Sequence, residues 1–240
     1  MKLTSKRYMA LAEMYLMDGL GRKVNGLIHN LNNQIHVVDM QMSMLVAKAG
    51  NTGDQPLAAF EGKLAKSAKG MSRIVKALQN NGQCSFYAQK EPAQINIADF
   101  LAWLMQFWEN DLFFKHKVSS EVNVKEGSLN LLVSPFHLTV CLEQGIRNVL
   151  EAYQEIDNSN ENRLLINASN LGEEVRIEIR SFTSISDLDP WEEGSSSKPG
   201  HLGMGLPVAA FVARDMGWKV DLHGDGDKTV YSVLIPRNRQ

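Results

Sequence analysis

Residues 19–38 read GLGRKVNGLIHNLNNQIHVV, with a knot of amides around one imidazole at HNLNNQ, residues 29–34. Asparagine side chains compete for nearby backbone hydrogen bonds, so folding alone gives little reason to put Asn30, Asn32 and Asn33 in a helix. The apolar positions nevertheless run Leu20, Val24, Leu27, Leu31, Ile35, Val38, Met42 and Leu45, in steps of three and four. That spacing predicts a helix with one narrow apolar stripe. His29 lies two residues from Leu27 and from Leu31, and at about 100° per residue it points away from the stripe, towards solvent. His36, seven residues on, shares its face and is the rival candidate; from spacing alone, two ordinary surface histidines are the plainer reading.

Working outward, AGNTGDQP at 49–56 supplies residues that end a helix and turn the chain. A second stripe follows at Leu57, Phe60, Leu64, Ala68, Met71, Val75 and Leu78, and is expected to stop at Asn80–Gly82. Two long helices with a short connection predict an antiparallel hairpin. One hairpin cannot bury both stripes, whereas two hairpins can, so a homodimeric four-helix bundle is expected; docking on the rest of the chain would also serve.

The chain has 240 residues and a net charge of −2, enough to bury a substantial core and too little charge to favour nucleic acid or an anionic membrane. Cys84 and Cys141 are far apart and form no CxxC pair, which fits small buried hydrophobes in a reducing compartment. Glu13 interrupts the apolar start, and no stretch approaches the roughly 18 apolar residues of a membrane span. A cytoplasmic location is the expectation.

Beyond the hairpin the pattern becomes mixed. Residues 92–96 read as an entry strand, 98–117 as a helix, and SSEVNVKE and LNLLVS as short strands. Ser134 and Pro135 open a strong helix as N-cap and first helical residue. RLLINASN and EEVRIEIRSF alternate as an antiparallel pair around Leu-Gly-Glu. A long polar loop then leads to the helix GLPVAAFVARDMGW and a closing hairpin with Gly-Asp-Gly-Asp at its tip. The fold class expected is α+β: a helical hairpin over 1–84, then a two-layer α/β sandwich over 85–240.

With these motifs in order, residues 19–38 resemble the phosphoacceptor helix of bacterial sensor histidine kinases, in the branch whose motif reads like HELNNPL. CLEQGIRNVLEAYQE resembles the N-box of their GHKL-type ATPase domain, and SSKPGHLGMGLPVAAFVARDMGW the G2 box with its following helix. The resemblance covers nearly the whole chain after about residue 15 and implies a dimeric four-helix bundle followed by an α/β sandwich. It implies that His29 is the phosphoacceptor, with Asn33 one turn on to contact a phosphoryl oxygen or a water. It implies that Asn148 binds Mg2+ and phosphate, and that Gly200, Gly203 and Gly205 let backbone N–H groups approach phosphates of ATP at a helix N-terminus. Lys198 is offered as a phosphate counter-charge, and reads equally well as a solvated lysine.

The sequence departs from the family pattern at four points. The G1 box DxGxG is absent, and Ser181 stands where the adenine-reading Asp is expected. Asn30 replaces the acidic general base beside the phosphoacceptor. Gln144 stands at the first N-box Asn, and Gln34 replaces a Pro. These losses fall on nucleotide reading and on attack of the imidazole upon ATP, and they spare His29 and Asn33. Three functions are weighed, and the first is the one expected. The first is phosphotransfer between His29 and an aspartate of a response-regulator receiver domain; the second is ATP- and Mg2+-dependent autophosphorylation; the third is a catalytically dead dimeric scaffold for the receiver.

Overall fold

A computed structural model describes residues 3–51, 60–125, 129–155, 162–183, 188–196, 198 and 201–237. Helix α1 spans Ser5–Asn51, 47 residues without a break, and α2 (Glu61–Tyr87) returns alongside it. The expected stop at residues 80–82 is overridden: α2 continues until Tyr87 is buried beside Phe100 and Trp103. Tertiary burial there outweighs the poor helix propensity of Asn and Gly.

After β1 (Ala93–Asn96), the helix expected over 98–117 is two helices, α3 (Ile97–Trp108) and α4 (Leu112–Lys117). Asp111 causes the break, because its carboxylate accepts the Phe114 N–H at 2.9 Å and caps a new start. Strands β2 (Ser119–Val124) and β3 (Asn130–Val133) precede α5 (Pro135–Glu155), whose first turn Ser134 caps through the His137 N–H. Then come β4 (Arg163–Asn170), β5 (Glu174–Ser181), α6 (Gly205–Asp215), β6 (Lys219–Asp225) and β7 (Lys228–Pro236).

The main sheet has order β2-β4-β5-β7-β6, antiparallel except for the parallel β2–β4 pair; β1 and β3 form a separate two-stranded ladder. The Leu-Gly-Glu turn joins β4 to β5 as expected, with Gly172 at φ 88°, where any side chain is strained. One face of the sheet supports α5 and α6 through buried Ile166, Ile177, Ile179 and Val233. The architecture is α+β.

The first half of α1 is not free. Ala12, Leu16, Gly19, Lys23, Gly26 and Asn30, spaced by alternating fours and threes, turn one face of α1 onto the sandwich. Tyr8 stacks on Phe211 of α6 at 4.6 Å and donates to Glu193 at 2.6 Å. An alanine Cβ at Gly19 would lie 2.4 Å from Glu143 Oε1, and at Gly26 only 1.6 Å from the Asn110 carbonyl oxygen. The apolar stripe read from the sequence divides in two. Leu20, Leu27, Leu31, Val38 and Leu45 are half-buried, while Val24, Ile35 and Met42 remain exposed.

Candidate functional site

His29 and Asn33 sit on exposed turns of α1, with the Asn33 amide nitrogen 3.4 Å from His29 Nδ1. Amide nitrogen and oxygen exchange places by a half-turn. The turned amide would accept Nδ1–H and leave the Nε2 lone pair outward as a nucleophile. His36 is exposed too, on the same face. Asn30 has a different role from its neighbours: its Nδ2 donates to Asn110 Oδ1 at 3.3 Å, and its Oδ1 accepts Lys115 Nζ at 2.6 Å. Asn30 is therefore tied to the sandwich.

A second cluster surrounds a cleft of about 810 Å3, within the range of small-molecule sites. Tyr15, Asp18 and Arg22 of α1 form one wall, and Gln144, Arg147, Asn148 and Glu151 of α5 line it from the sandwich. His29 lies seven residues beyond Arg22, roughly 10 Å further along the helix axis.

Ion pairs internal to the chain fill the polar part of this cleft. Arg147 donates to Asp18 at 2.7 Å and to Glu143 at 3.4 Å. Burial works to raise the Asp18 carboxyl, but hydrogen bonds from Arg147 and Arg22 hold it below the usual carboxylate range. Behind it, Lys23 pairs with Glu143 at 2.9 Å, both fully buried, and its ammonium lies 3.6 Å from the Trp108 ring centre. Burial pushes the Lys23 ammonium below the ordinary lysine range, against the opposing pull of Glu143.

Lys198 and Asn148 are brought together in a way the sequence did not suggest. Lys198 Nζ donates to Asn148 Oδ1 at 2.9 Å, to the Asn148 carbonyl at 3.0 Å and to Glu151 at 3.2 Å. All three ammonium protons are used. A divalent cation at Asn148 Oδ1 would have to displace a lysine already paired there, so these residues do not fit Mg2+. Gly203 and Gly205 have packing reasons of their own. Gly203 has φ +60° and would place a Cβ 2.4 Å from the Ser195 carbonyl oxygen; a Cβ at Gly205 would lie 2.7 Å from Gln144 Oε1. Gly200 lies outside the described residues.

Ser181, which the sequence resemblance aligns with an adenine-reading Asp, is buried with its hydroxyl 2.9 Å from Thr183 Oγ1, and Thr229 donates to the Thr183 carbonyl at 2.6 Å. Among the described lining residues the acids are Asp18, Glu151 and Glu155, all on α1 or α5. Hydroxyls thus replace the carboxylate at the sheet end of the cleft. Sequence reasoning passed over Asp18, Lys23, Glu143 and Arg147; the signal available was opposite charges four residues apart, Asp18 with Arg22 and Glu143 with Arg147.

Neither a family model nor a curated protein matches the sequence. Solved structures do match. The nucleotide-free catalytic domain of histidine kinase ThkA aligns with 61% of this chain and 96% of its own, at 16% identity and TM-score 0.54. Full-length ShkA, solved in complex with AMPPNP, aligns with 98% of this chain and 46% of its own, at 14% identity and TM-score 0.52. No helix among the described residues is long and apolar enough to cross a membrane. The chain carries the fold of a histidine-kinase catalytic domain.

Proposed function

We propose that this protein is a histidine-kinase-like phosphotransfer protein of a two-component system, with His29 exchanging phosphoryl groups with the aspartate of a response-regulator receiver domain. The observation that carries this reading is the Lys198 ammonium on Asn148, which gives the cation position of the cleft to the chain's own side chain. The His29 face is open and continues towards the hairpin tip through exposed Val37, Met40 and Met44, an apolar footing for a partner beside the imidazole. In the forward step Nε2 attacks the phosphorus of an aspartyl phosphate. The N–P bond forms, the acyl P–O bond breaks to release carboxylate, and the Nδ1 proton leaves to water while Asn33 orients the ring.

A phosphorylated receiver domain should label this protein, and His29→Ala should reduce the label by at least about a thousandfold, whereas His36→Ala should leave it intact. ATP with Mg2+ should give no label. The size of the cleft favours the runner-up, a divergent ATP-dependent kinase, and strong labelling by ATP that His29→Ala removes would establish it. A receiver that binds without labelling the protein would leave only the scaffold.

Homodimerisation belongs to the same reading. Met17, Val24, Ile28, Ile35, Met42 and Val46 form an exposed apolar line on α1, with Leu64, Met71, Val75 and Leu78 exposed on α2. A second hairpin covers both lines in a four-helix bundle. Light scattering should give twice the 26.8 kDa chain mass, and Ile35→Asp should lower it towards one chain at micromolar concentration.

A further inference from the structure

The Lys and Arg side chains in and behind the cleft are spent on carboxylates: Lys23 on Glu143, Arg22 and Arg147 on Asp18, Lys198 on Glu151. Lys115 is different. It is exposed, its hydrogen-bond partner is the neutral Asn30 amide oxygen, and among the described residues it makes no ion pair. Its mount is firm, because α4 is capped by Asp111 and anchored by Phe114, which is 1% exposed. The hydrogen bonds run in one direction: Lys115 donates to Asn30, Asn30 to Asn110, and Asn110 to the Phe107 carbonyl. Asn30 is thereby fixed with its oxygen towards the ammonium. Consecutive helix residues differ by about 100° and 1.5 Å, so this ammonium, at the end of a flexible four-carbon stem, is held on the residue next to His29.

We propose that Lys115 is a phosphoryl-binding cation of the His29 site, contributed by the sandwich and held ready by Asn30. The proposal rests on His29 being the phosphoacceptor. A dianionic phosphoryl group on Nε2 draws the ammonium from a neutral amide at little cost, and a charge-assisted N–H···O contact stabilises both the transferring group and the phosphohistidine. It also gives Asn30 a reason to be an amide. A carboxylate in that place would pair with Lys115 and neutralise the charge that the phosphoryl group needs.

Phosphoramidate tests this on the intact chain. His29 Nε2 forms the N–P bond as the donor's P–N bond breaks, ammonia departs, and the imidazole Nδ1 proton goes to water. Lys115→Gln, which retains a hydrogen bond to Asn30, should slow labelling about tenfold, while Lys115→Arg should stay within about threefold of wild type. Asn30→Asp should slow it to a similar extent, and the 31P resonance of the phosphohistidine should move in Lys115→Gln but not in Lys115→Arg. A merely structural lysine would leave rate and resonance unchanged. Wild-type labelling with an unaltered rate in Lys115→Gln, or a faster rate in Asn30→Asp, overturns the role of Lys115 and leaves His29 standing. Failure of wild type to label overturns the phosphoacceptor reading itself.

Discussion

Gly26→Ala should separate α1 from the sandwich. The new Cβ would sit 1.6 Å from the Asn110 carbonyl oxygen, a backbone atom on a buried residue whose own N–H bonds to Phe107. A side chain can rotate out of the way of a methyl group; this carbonyl cannot. The helix must move instead, and the buried Lys23–Glu143 pair and the Asn30–Asn110 hydrogen bond move with it. Overpacking together with disruption of a buried pair costs about 3–5 kcal/mol, or roughly 10–15 °C in melting temperature for a chain of this size. Gly21→Ala is the control. Nothing lies within 4 Å of its Cβ position, so alanine there should stabilise by about 0.5–1 kcal/mol through helix propensity alone. Calorimetry on the two variants, five residues apart on one helix, should therefore move in opposite directions.

The second large effect belongs to Glu143→Leu. It removes the carboxylate paired with Lys23, a residue 3% exposed, and leaves it the Gly19 carbonyl at 3.4 Å, the Trp108 ring and the weaker field of Asp111. Stranding a buried charge costs about 3–5 kcal/mol. Lys23→Met should cost less, since Glu143 keeps Arg147, and the double replacement should return close to wild type because neither charge is then buried. Acidity separates these outcomes. The ammonium of the folded chain already lies below the ordinary lysine value of 10.5, and the loss of Glu143 lowers it further. The folded state then binds fewer protons than the unfolded state, so Glu143→Leu should regain stability as pH rises towards about 10.5. Urea titrations at successive pH values read this directly.

Much of the sandwich was legible in the residues. The β4–β5 pair, the β6–β7 hairpin and the Ser134 cap follow from period-two alternation and turn chemistry, and these are local properties. The parallel β2–β4 pairing was not legible, because its partners are separated by α5 and nothing local specifies it. Asp111 could have been read as a cap, but the apolar run through Phe114 concealed the break between α3 and α4. The docking face of α1 was hidden for another reason. A hydropathy pattern detects Leu and Ile, whereas Ala12, Gly19, Lys23, Gly26 and Asn30 make close approaches and polar pairs. His29 and Asn33 stand out in the sequence by their unusual chemistry in a helix, while the closure of Lys198 upon Asn148 joins residues fifty positions apart in sequence.

The unbroken length of α1 has one more consequence. A single rod, about 70 Å long at 1.5 Å per residue, carries the imidazole and is also bolted to the sandwich through Gly19, Lys23 and Gly26. A machine that carries phosphate from cleft to histidine needs travel between the two, whereas the phosphotransfer proposed above needs none. In that proposed role the sandwich serves as a pedestal for His29. The tempo of such a protein is set by collision with its partner and by the charge that steers the encounter, with no internal swing to wait for.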